Sequence, residues 1–253
     1  MSTAYNAANT VQNLTENSFS VQKFIELALE NKVLKFGEFV LKSGRISPYF
    51  FNAGLLASGE MLSLLARGYA DALAEQIATN NASNNAENNA ENNADSINDT
   101  LVIFGAAYKG IPFVAAAAQA LWLHHGINVD WGYNRKEVKT HGEGGNLVGA
   151  DVQGKSVWIL DDVITAGTAR REVVDSLQQA GASVAGIIVA LDRKEKGQGE
   201  QSAIQELVAN LQVPVRALVD IDDLISYLAD NNSQYKDAEQ LAKMQHYRHQ
   251  YGV

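Results

Sequence analysis

Short apolar runs alternate with segments of helical periodicity along most of the 253-residue chain. Runs rich in β-branched residues are typical of strands buried on both faces. Five such runs occur, at 101–105, 127–133, 157–160, 184–191 and 215–220. Apolar residues at helical spacing follow the first run from about Ile111 and the third run from about Ala169. Gly181 is expected to end the second of these helices, and a helical region with Tyr227 and Leu228 comes last. This alternation predicts an α/β fold with a central, mostly parallel sheet flanked by helices.

The N-terminal part of the chain shows a different order of elements. Apolar residues recur at helical spacing over 20–30 and again over 62–77, and each segment predicts an amphipathic helix. Between these helices, 33–41 and 47–52 flank a turn at 42–45. We interpret this stretch as two short strands that connect the helices.

Two polar segments fall outside this pattern. Residues 1–19 contain several Asn and Thr and predict a disordered N-terminal tail. Residues 79–100 repeat an Asn-rich motif that cannot fill a core and favours neither helix nor strand. We interpret it as a low-complexity surface insertion, tolerated because loop-closure entropy grows slowly with length; a functional role is the weaker alternative. The remainder, 20–253, is expected to form a single domain.

Composition narrows the classes of function and partner. A hydrophobic fraction of 46% suffices for a core, and a net charge of −9 argues against nucleic acid or an anionic membrane as the main partner. The absence of cysteine excludes disulfides, thiol catalysis and thiolate metal sites. The start lacks the features of a signal peptide, and the longest apolar run, 111–123, is too short to span a bilayer. We therefore expect a soluble, cytoplasmic protein, and the spacing of its five histidines indicates no metal-ligand cluster.

The third buried run leads into the motif that concentrates candidate chemistry. Residues 157–169 read V-W-I-L-D-D-V-I-T-A-G-T-A, so Asp161 and Asp162 follow a strand, and a T-A-G-T loop precedes a helix. Backbone N–H groups of a glycine-containing loop at a helix start form a cradle for phosphate, and Thr hydroxyls add donors. Carboxylates accept only, so their natural partners beside a phosphate are two sugar hydroxyls. The motif therefore predicts a site for ribose 5-phosphate.

Other interpretations of this motif are weaker. It has neither the G-x-x-x-x-G-K-[ST] pattern of a Walker loop nor the G-x-G-x-x-G pattern of a dinucleotide-binding fold. The two acids could merely cap the end of a strand. We favour this alternative less, because a loop suited to phosphate follows them.

Two basic segments supply the positive charge that an acidic chain needs for a phosphate ligand. Lys109 lies beside a glycine in the loop after the first buried run. Arg135, Lys136, Lys139 and His141 lie within seven residues, and three glycines follow within four. Glycine flanks suit a mobile flap, and an ordinary charged hairpin is the alternative.

Several motifs together resemble a known enzyme family. The 157–169 motif is similar to the phosphoribosyl-diphosphate (PRPP) signature of the type I phosphoribosyltransferases. From about Phe24 to Val253, apart from the Asn-rich insertion, the chain resembles the bacterial-type orotate phosphoribosyltransferases, with no departure at a matched motif position. The other matching segments are L-K-F-G-E-F, L-K-S-G-R, S-P-Y-F-F-N-A-G, F-G-A-A-Y-K-G-I-P, N-R-K-E-V-K-T-H-G-E-G-G-N-L-V-G and L-D-R-K-E-K-G.

This resemblance implies a fold, a reaction and partners. The fold is that of the type I phosphoribosyltransferases, with a small N-terminal hood. The reaction transfers ribose 5-phosphate from PRPP to orotate, giving orotidine 5′-phosphate and diphosphate, in de novo pyrimidine biosynthesis. The cofactor is Mg²⁺, held mainly through PRPP rather than by protein ligands. The implied partners are these small substrates and a second copy of the chain, in a homodimer whose flexible catalytic loop completes the neighbour's site, with no nucleic acid and no membrane.

The resemblance also assigns roles to individual residues. The catalytic residues that it implies are Lys139, His141, Asp161 and Asp162. The residues that it implies for PRPP binding are Lys42, Tyr108, Lys109, Arg135, Lys136, Lys139, His141, Asp161, Asp162, Val163, Ile164, Thr165, Ala166, Gly167, Thr168 and Ala169. The residues that it implies for orotate binding are Phe50, Phe51, Thr165 and Arg193. The planar guanidinium of Arg193 suits a carboxylate because the two can pair bidentately.

Two rival functions stay open at this point. One is a phosphoribosyltransferase for another base, which an assay with purine bases separates from the first. The other is a non-catalytic PRPP sensor that binds RNA or a protein partner. The net charge of −9 and the basic flap disfavour the sensor.

Overall fold

The computed structural model describes residues 18–87, 101–139, 145–164, 168–197, 199–231 and 233–253; at 80–87, 137–139, 145 and 168–170 it describes the backbone alone. The N-terminal elements are α1 (Val21–Glu30), β1 (Leu34–Val40), β2 (Ile46–Phe51) and α2 (Gly59–Glu87). Next come β3 (Leu101–Gly105), α3 (Gly110–His125), β4 (Asp130–Lys139), β5 (Gly145–Gly149) and β6 (Ser156–Val163). The last elements are α4 (Thr168–Gln179), β7 (Ser183–Asp192), α5 (Ala203–Leu211), β8 (Val215–Asp220), α6 (Ile221–Ala229) and α7 (Ala238–Tyr251). Of the helices in these ranges, none is both long and apolar enough to cross a membrane.

Six strands form the central sheet, in the order β5-β4-β3-β6-β7-β8. Neighbouring strands are parallel except for β4 and β5, which pair antiparallel. At the centre, β3 pairs with β6 from Leu101 opposite Ser156 to Gly105 opposite Leu160. The predicted α/β fold with a mostly parallel sheet flanked by helices is confirmed, and the carboxyl ends of β3 and β6 lie side by side.

Each face of the sheet has its own hydrophobic core. On β3, Leu101 and Ile103 belong to one core, whereas Val102 and Phe104 belong to the other, because successive side chains of a strand point to opposite faces. The larger core packs α1, α2, α3, α6 and α7 against one face, and the smaller core packs α4 and α5 against the other. Burial on both faces explains why these strands are continuously apolar in sequence.

The small N-terminal hood is a separate two-stranded sheet, in which β1 and β2 pair antiparallel. The hood packs on the C-terminal helix α7. Nε2 of Gln240 donates a buried hydrogen bond to the carbonyl of Pro48 at 2.7 Å, and the neighbouring Tyr49 is fully buried. The last helix of the chain therefore supports the strand that carries Phe50 and Phe51.

Helix α2 is longer than the sequence predicts. It continues to Glu87, so residues 79–87 of the expected insertion have a helical backbone. Extending an existing helix needs no new nucleus, which allows weak helix formers such as asparagine to join it. The rest of the predicted insertion, 88–100, lies outside the described residues.

Two features of the structure were not predicted from the sequence. Helix α5 begins with a capping box, in which the N–H of Gln205 donates to Oγ of Ser202 at 3.1 Å and the N–H of Ser202 donates to Oε1 of Gln205 at 2.9 Å. Strand β4 runs past the predicted end at 133 to Lys139, because the Gly-rich β5 pairs with it. Residues 135–139 of the second basic segment therefore lie in a strand that pairs with β5.

Phe19 is anchored, although the sequence pattern predicts that it belongs to the N-terminal tail. Its N–H donates to Oδ2 of Asp71 at 3.0 Å. Oδ1 of the same carboxylate lies 2.7 Å from Nε of Arg67 and 2.7 Å from Nε2 of His125. Burial acts to raise the pKa of Asp71, but these hydrogen bonds outweigh it, so the pKa lies below its ordinary value. Phe19 is therefore held in place, and residues 1–17 of the predicted tail lie outside the described residues.

Candidate active site

The carboxyl ends of the parallel strands bring predicted site residues to one edge of the sheet. Lys109 follows β3, Lys136 lies in the second half of β4, Asp162 lies near the end of β6, and Arg193 directly follows β7. Ligands of open α/β sheets bind at this edge. Candidates from four strands thus share the edge at which a ligand is expected.

Two glycines allow the two ends of the loop after β3 to come into close backbone contact. A Cβ on Gly105 would lie 2.5 Å from the carbonyl carbon of Gly110, and a Cβ on Gly110 would lie 2.7 Å from the carbonyl carbon of Gly105. Only glycine at both positions lets the start of α3 press directly against the end of β3. The N–H of Ala107 donates to Oδ1 of Asn134 at 2.9 Å, which ties the loop to β4. A short loop held at a helix N-terminus is suited to an anion such as diphosphate.

Lys109 pairs with one of the two predicted acids. Its Nζ lies 2.8 Å from Oδ2 of Asp162, and the side chains are 53% and 16% exposed. Burial acts to raise the pKa of Asp162, but hydrogen bonds from Lys109 and from the N–H of Val163 outweigh it and hold the pKa below its ordinary value. The carboxylate is therefore charged at neutral pH, and a cation and an acid predicted to meet different parts of PRPP contact each other.

Asp161 has different surroundings from its neighbour. Its residue is buried, its carbonyl accepts from the hydroxyl of Tyr69 at 2.7 Å, and its Oδ1 accepts from the N–H of Asp162 at 2.8 Å. Burial raises the pKa of Tyr69, so the phenol keeps its proton and stays a donor. Both acids lie within β6, where Asp161 pairs with Val189 of β7. The predicted end of this strand at 160 was therefore too early, and the acids do not cap a strand end.

Strand β4, which pairs with β5, contacts the loop after β3. Nζ of Lys136 lies 4.9 Å from the centroid of the exposed Tyr108 ring. Such a cation–π contact contributes about 0.5–1 kcal/mol at an exposed site. It links β4 to Tyr108 and thus to Lys109, the next residue. Arg135 lies on the same strand, one residue before Lys136.

Part of the predicted PRPP site falls beyond the described side chains. His141, Thr165, Ala166 and Gly167 lie outside the described residues. The backbone alone is described for Lys139, at the end of β4, and for Thr168 and Ala169, which open α4. Val163 ends β6, and the side chain of Ile164 packs into the smaller core. The helix start expected near 169 is confirmed.

Arg193 is held on three sides at the end of β7. Its Nε and Nη2 lie 2.7 and 2.6 Å from Oε1 of Glu195, Nη2 donates to Oγ of Ser47 at 2.8 Å, and the guanidinium lies 4.1 Å from the centroid of the Tyr49 ring. Burial acts to lower the pKa of Arg193, but the electrostatic effects of Tyr49 and Glu195 are together larger, and the pKa lies above its ordinary value. The guanidinium therefore stays charged. Within the described part of the chain these contacts use Nε and Nη2, so a bidentate pair with a ligand carboxylate requires one of them to break.

The remaining predicted residues lie on the hood. Phe50 is partly exposed and its ring lies 5.5 Å from that of Phe39, whereas Phe51 packs towards Phe24 at 6.4 Å. Lys42 is exposed in the turn between β1 and β2. Among the described residues, Lys42 forms no ion pair with Asp162, whose cation partner is Lys109.

Several residues at the site were missed by sequence reasoning. Ser47, Tyr49 and Glu195 surround Arg193, and Asn134 fixes the loop after β3. The matching motifs contain all of them, and the spacing of two between Arg193 and Glu195 was a visible signal for a local ion pair. The other contacts join residues far apart in sequence, which no local pattern reveals.

Comparison with known proteins agrees with this geometry. A family model described as "Phosphoribosyl transferase domain" matches residues 71–213. The orotate phosphoribosyltransferase of Acinetobacter baumannii (strain ACICU) is 58% identical over 239 residues, covering 94% of this chain and 99% of the relative. That of Aeromonas salmonicida is 50% identical over 233 residues, covering 92% and 98%. A solved structure of the orotate phosphoribosyltransferase from Francisella tularensis is 38% identical, covers 91% of this chain and 100% of that chain, and has a TM-score of 0.72. The chain belongs to the orotate phosphoribosyltransferase family.

Proposed function

We propose that the protein transfers ribose 5-phosphate from PRPP to a ring nitrogen of orotate, giving orotidine 5′-phosphate and diphosphate on the route to UMP. The observation that carries the proposal is the contact of 2.8 Å between Lys109 and Asp162 at the carboxyl edge of the sheet. It joins a loop suited to an anion to a pair of acids, and these are the two parts that a PRPP site would need. The family relationship supports orotate as the acceptor.

PRPP binding would be an exchange of partners at this contact. Lys109, Tyr108 and the N–H groups at the start of α3 face the diphosphate, while Asp162 and Asp161 accept hydrogen bonds from the ribose diol. The 5-phosphate occupies the loop before α4, whose helix start provides further N–H donors. We also propose that Lys42, Arg135 and Lys136 bind PRPP. Val163 and the segment 164–169 would line the 5-phosphate.

Orotate would lie between the hood and the end of β7. Phe50 and Phe51 offer aromatic surface for a planar ring, Thr165 offers a hydroxyl, and Arg193 faces the carboxylate. An arginine is suited to this task because it stays charged and presents a planar fork. Support comes from the position of Arg193, which directly follows the strand next to β6.

Mg²⁺ is the cofactor that we propose. Among the described residues, no group of three or more His, Cys, Asp or Glu could hold a metal ion. Mg²⁺ keeps several waters and typically combines one or two carboxylates with substrate phosphates. Asp161 and Asp162 beside PRPP fit such a donor set. When bound, Mg²⁺ neutralises charge on the diphosphate and improves it as a leaving group.

Catalysis follows from the charges that develop as the bond between the anomeric carbon and diphosphate breaks. The carbon becomes cationic and the leaving group gains negative charge. Lys139, at the end of β4, and His141, two residues further along the chain, would close over the diphosphate, stabilise its departure and exclude water. Asp161 and Asp162 hold the ribose so that orotate meets the open face of the anomeric carbon.

A homodimer is part of the proposal, with the segment after β4 completing the neighbour's site. Exposed Trp122 and Leu123 on α3 and partly exposed Trp131 on the adjoining β4 support a subunit contact near this segment. Mixing Lys139→Ala with Asp162→Asn subunits tests the arrangement, because each mixed dimer regains one intact site. Random exchange should then recover about a quarter of wild-type activity. Recovery of none would contradict a shared loop.

The cytoplasm is the compartment that we propose. PRPP is a polyanion, and moving charge through a bilayer is costly. An enzyme that consumes PRPP therefore has to work in the same compartment in which PRPP is made, and we propose that this is the cytoplasm.

The decisive assay is the loss of orotate absorbance that depends on both PRPP and Mg²⁺, with diphosphate release measured in parallel. Orotate should be consumed and purine bases should not. Consumption of a purine base instead would indicate another phosphoribosyltransferase. PRPP binding without diphosphate release for any base would indicate a sensor.

A further inference from the structure

The contacts that restrain Arg193 continue into the end of helix α7. Glu195 forms an antiparallel bridge with Gly252. Two backbone hydrogen bonds flank the bridge, from the N–H of Lys196 to the carbonyl of Tyr251 at 2.8 Å and from the N–H of Val253 to the carbonyl of Lys194 at 3.0 Å. We call residues 194–196 with 251–253 the C-terminal ladder. Its central residue, Glu195, is the partner of Arg193.

The hood is attached to the same ladder. Nη1 and Nη2 of Arg45, in the turn between β1 and β2, donate to the carbonyls of Lys196 at 2.7 Å and Gly197 at 3.3 Å. The guanidinium also lies 4.9 Å from the centroid of the Tyr251 ring. The strand that starts after Arg45 carries Ser47, which accepts from Arg193. One network therefore joins the hood, the segment after β7 and the end of α7.

Gly252 allows this approach. A Cβ there would collide with both Nη1 and the carbonyl oxygen of Arg248, and it would lie 3.0 Å from Cζ of the same arginine. Nε of Arg248 is in turn fixed 2.9 Å from Oδ1 of Asp222. A side chain at 252 therefore has to displace backbone of α7, and the ladder with it.

We propose that Glu195 is a positioning residue that fixes the guanidinium of Arg193 for the orotate carboxylate, and that the C-terminal ladder holds Glu195 in place. The inference rests on the proposed function, because it assumes that Arg193 meets orotate. Side chains of Arg193 and Glu195 are only 11% and 14% exposed. A buried cation that loses its acid is strongly disfavoured, and a free arginine has many rotamers. Without Glu195 the guanidinium would turn away from its present position.

The effect should be selective for orotate. Lys109 and Asp162 lie outside the network, whereas Lys42 lies three residues before Arg45, so PRPP affinity should change much less than orotate affinity. A contact made equally before and during reaction changes KM and leaves kcat unchanged. Loss of a charge-assisted hydrogen bond predicts a rise of about 10-fold or more in KM for orotate in Glu195→Ala. Glu195→Gln keeps an acceptor oxygen in place and should recover part of the loss.

The experiment compares steady-state kinetics of wild-type protein with Glu195→Ala, Glu195→Gln and Gly252→Ala, with PRPP affinity in the presence of Mg²⁺ measured by calorimetry. Gly252→Ala leaves Glu195 intact and disturbs the ladder, so it should raise KM for orotate in the same direction. Glu200→Ala is the matched control, since that carboxylate is 89% exposed and pairs with the side chain of Lys196 at the surface. It should leave both KM values unchanged.

The outcomes separate this inference from the proposed function. Wild-type protein that consumes no orotate refutes the function. An active wild type with an unchanged KM for orotate in Glu195→Ala refutes the positioning role alone. Equal loss of orotate and PRPP affinity in both Glu195 variants also refutes it, because that result marks a general structural role. If Glu195→Ala does not fold, Glu195→Gln and Gly252→Ala decide the question by the same two KM values.

Discussion

The junction of β3 and α3 gives a sharp test of how the loop 106–109, which we propose binds diphosphate, is built. In Gly105→Ala, the new Cβ would lie 2.5 Å from the carbonyl carbon of Gly110, closer still to its oxygen, and 2.9 Å from Cγ1 of Val114. The Gly110 atoms are backbone, so they cannot rotate away. The collision is relieved only if the start of α3 moves away from β3, and the loop 106–109 moves with it.

The expected size follows from these contacts. Adding a methyl group to a well-packed core typically costs about 1–3 kcal/mol. All three distances are below ordinary van der Waals contact and two involve backbone, so we expect the free energy of unfolding to fall by about 3 kcal/mol. A loop displaced by about 1 Å also places Lys109 and Tyr108 wrongly, which predicts a fall of ~100-fold in kcat/KM for PRPP.

Urea unfolding measures the first effect, and kinetics with varied PRPP measures the second. Gly59→Ala is the matched control, because a Cβ at the start of α2 meets nothing within 4 Å. It should leave stability and kinetics close to wild type. Wild-type stability and PRPP kinetics in Gly105→Ala would refute the reasoning, since the loop would then not depend on direct contact between β3 and α3.

Three further predictions concern other parts of the chain. Lys139→Ala should lower kcat by ~100-fold, as expected for loss of one electrostatic stabiliser; an unchanged kcat removes the proposed role. Asp71→Asn should lower the free energy of unfolding near neutral pH by roughly 0.5–1 kcal/mol, discounted for partial exposure. Because the pKa of Asp71 is lowered in the fold, this stabilisation is present above the ordinary carboxyl pKa and lost as pH falls through the lowered value; a difference between wild type and variant that persists at acid pH contradicts it. Deleting 80–93 should leave kcat and the yield of soluble protein unchanged, and loss of soluble protein would argue against a dispensable insertion.

Elements that are buried on both faces could be predicted from sequence because their patterns are local. The run at 101–105 is apolar throughout and became β3, and the helical spacing after Ile111 became α3. The end of β6 could not be predicted, because the charged residues Asp161 and Asp162 do not look like part of a buried strand, although β6 continues through them and pairs with β7. Helix α5 was missed although its Ser202-x-x-Gln205 capping box is readable, since short helices resemble loops when little of their surface is buried.

The site shows the same division between local and distant information. The acid pair, the T-A-G-T loop and the position of Lys109 follow from residue types and spacing. The contact between Lys109 and Asp162 joins residues 53 positions apart, and the one between Arg193 and Ser47 joins residues 146 apart. Such contacts depend on strand order, which periodicity does not determine.

The pairing of charges at this edge bears on substrate selection. Breaking the contact between Lys109 and Asp162 leaves two charges that each need a new partner, and an uncompensated, partly buried charge is costly. Diphosphate alone would satisfy Lys109 but bring negative charge towards Asp162. A ribose alone would offer hydroxyls to Asp162 but nothing to Lys109. In the proposed site, PRPP would supply an anion for the cation and hydroxyl donors for the acid in a single molecule, so the closed pair would favour the complete substrate over either of its halves.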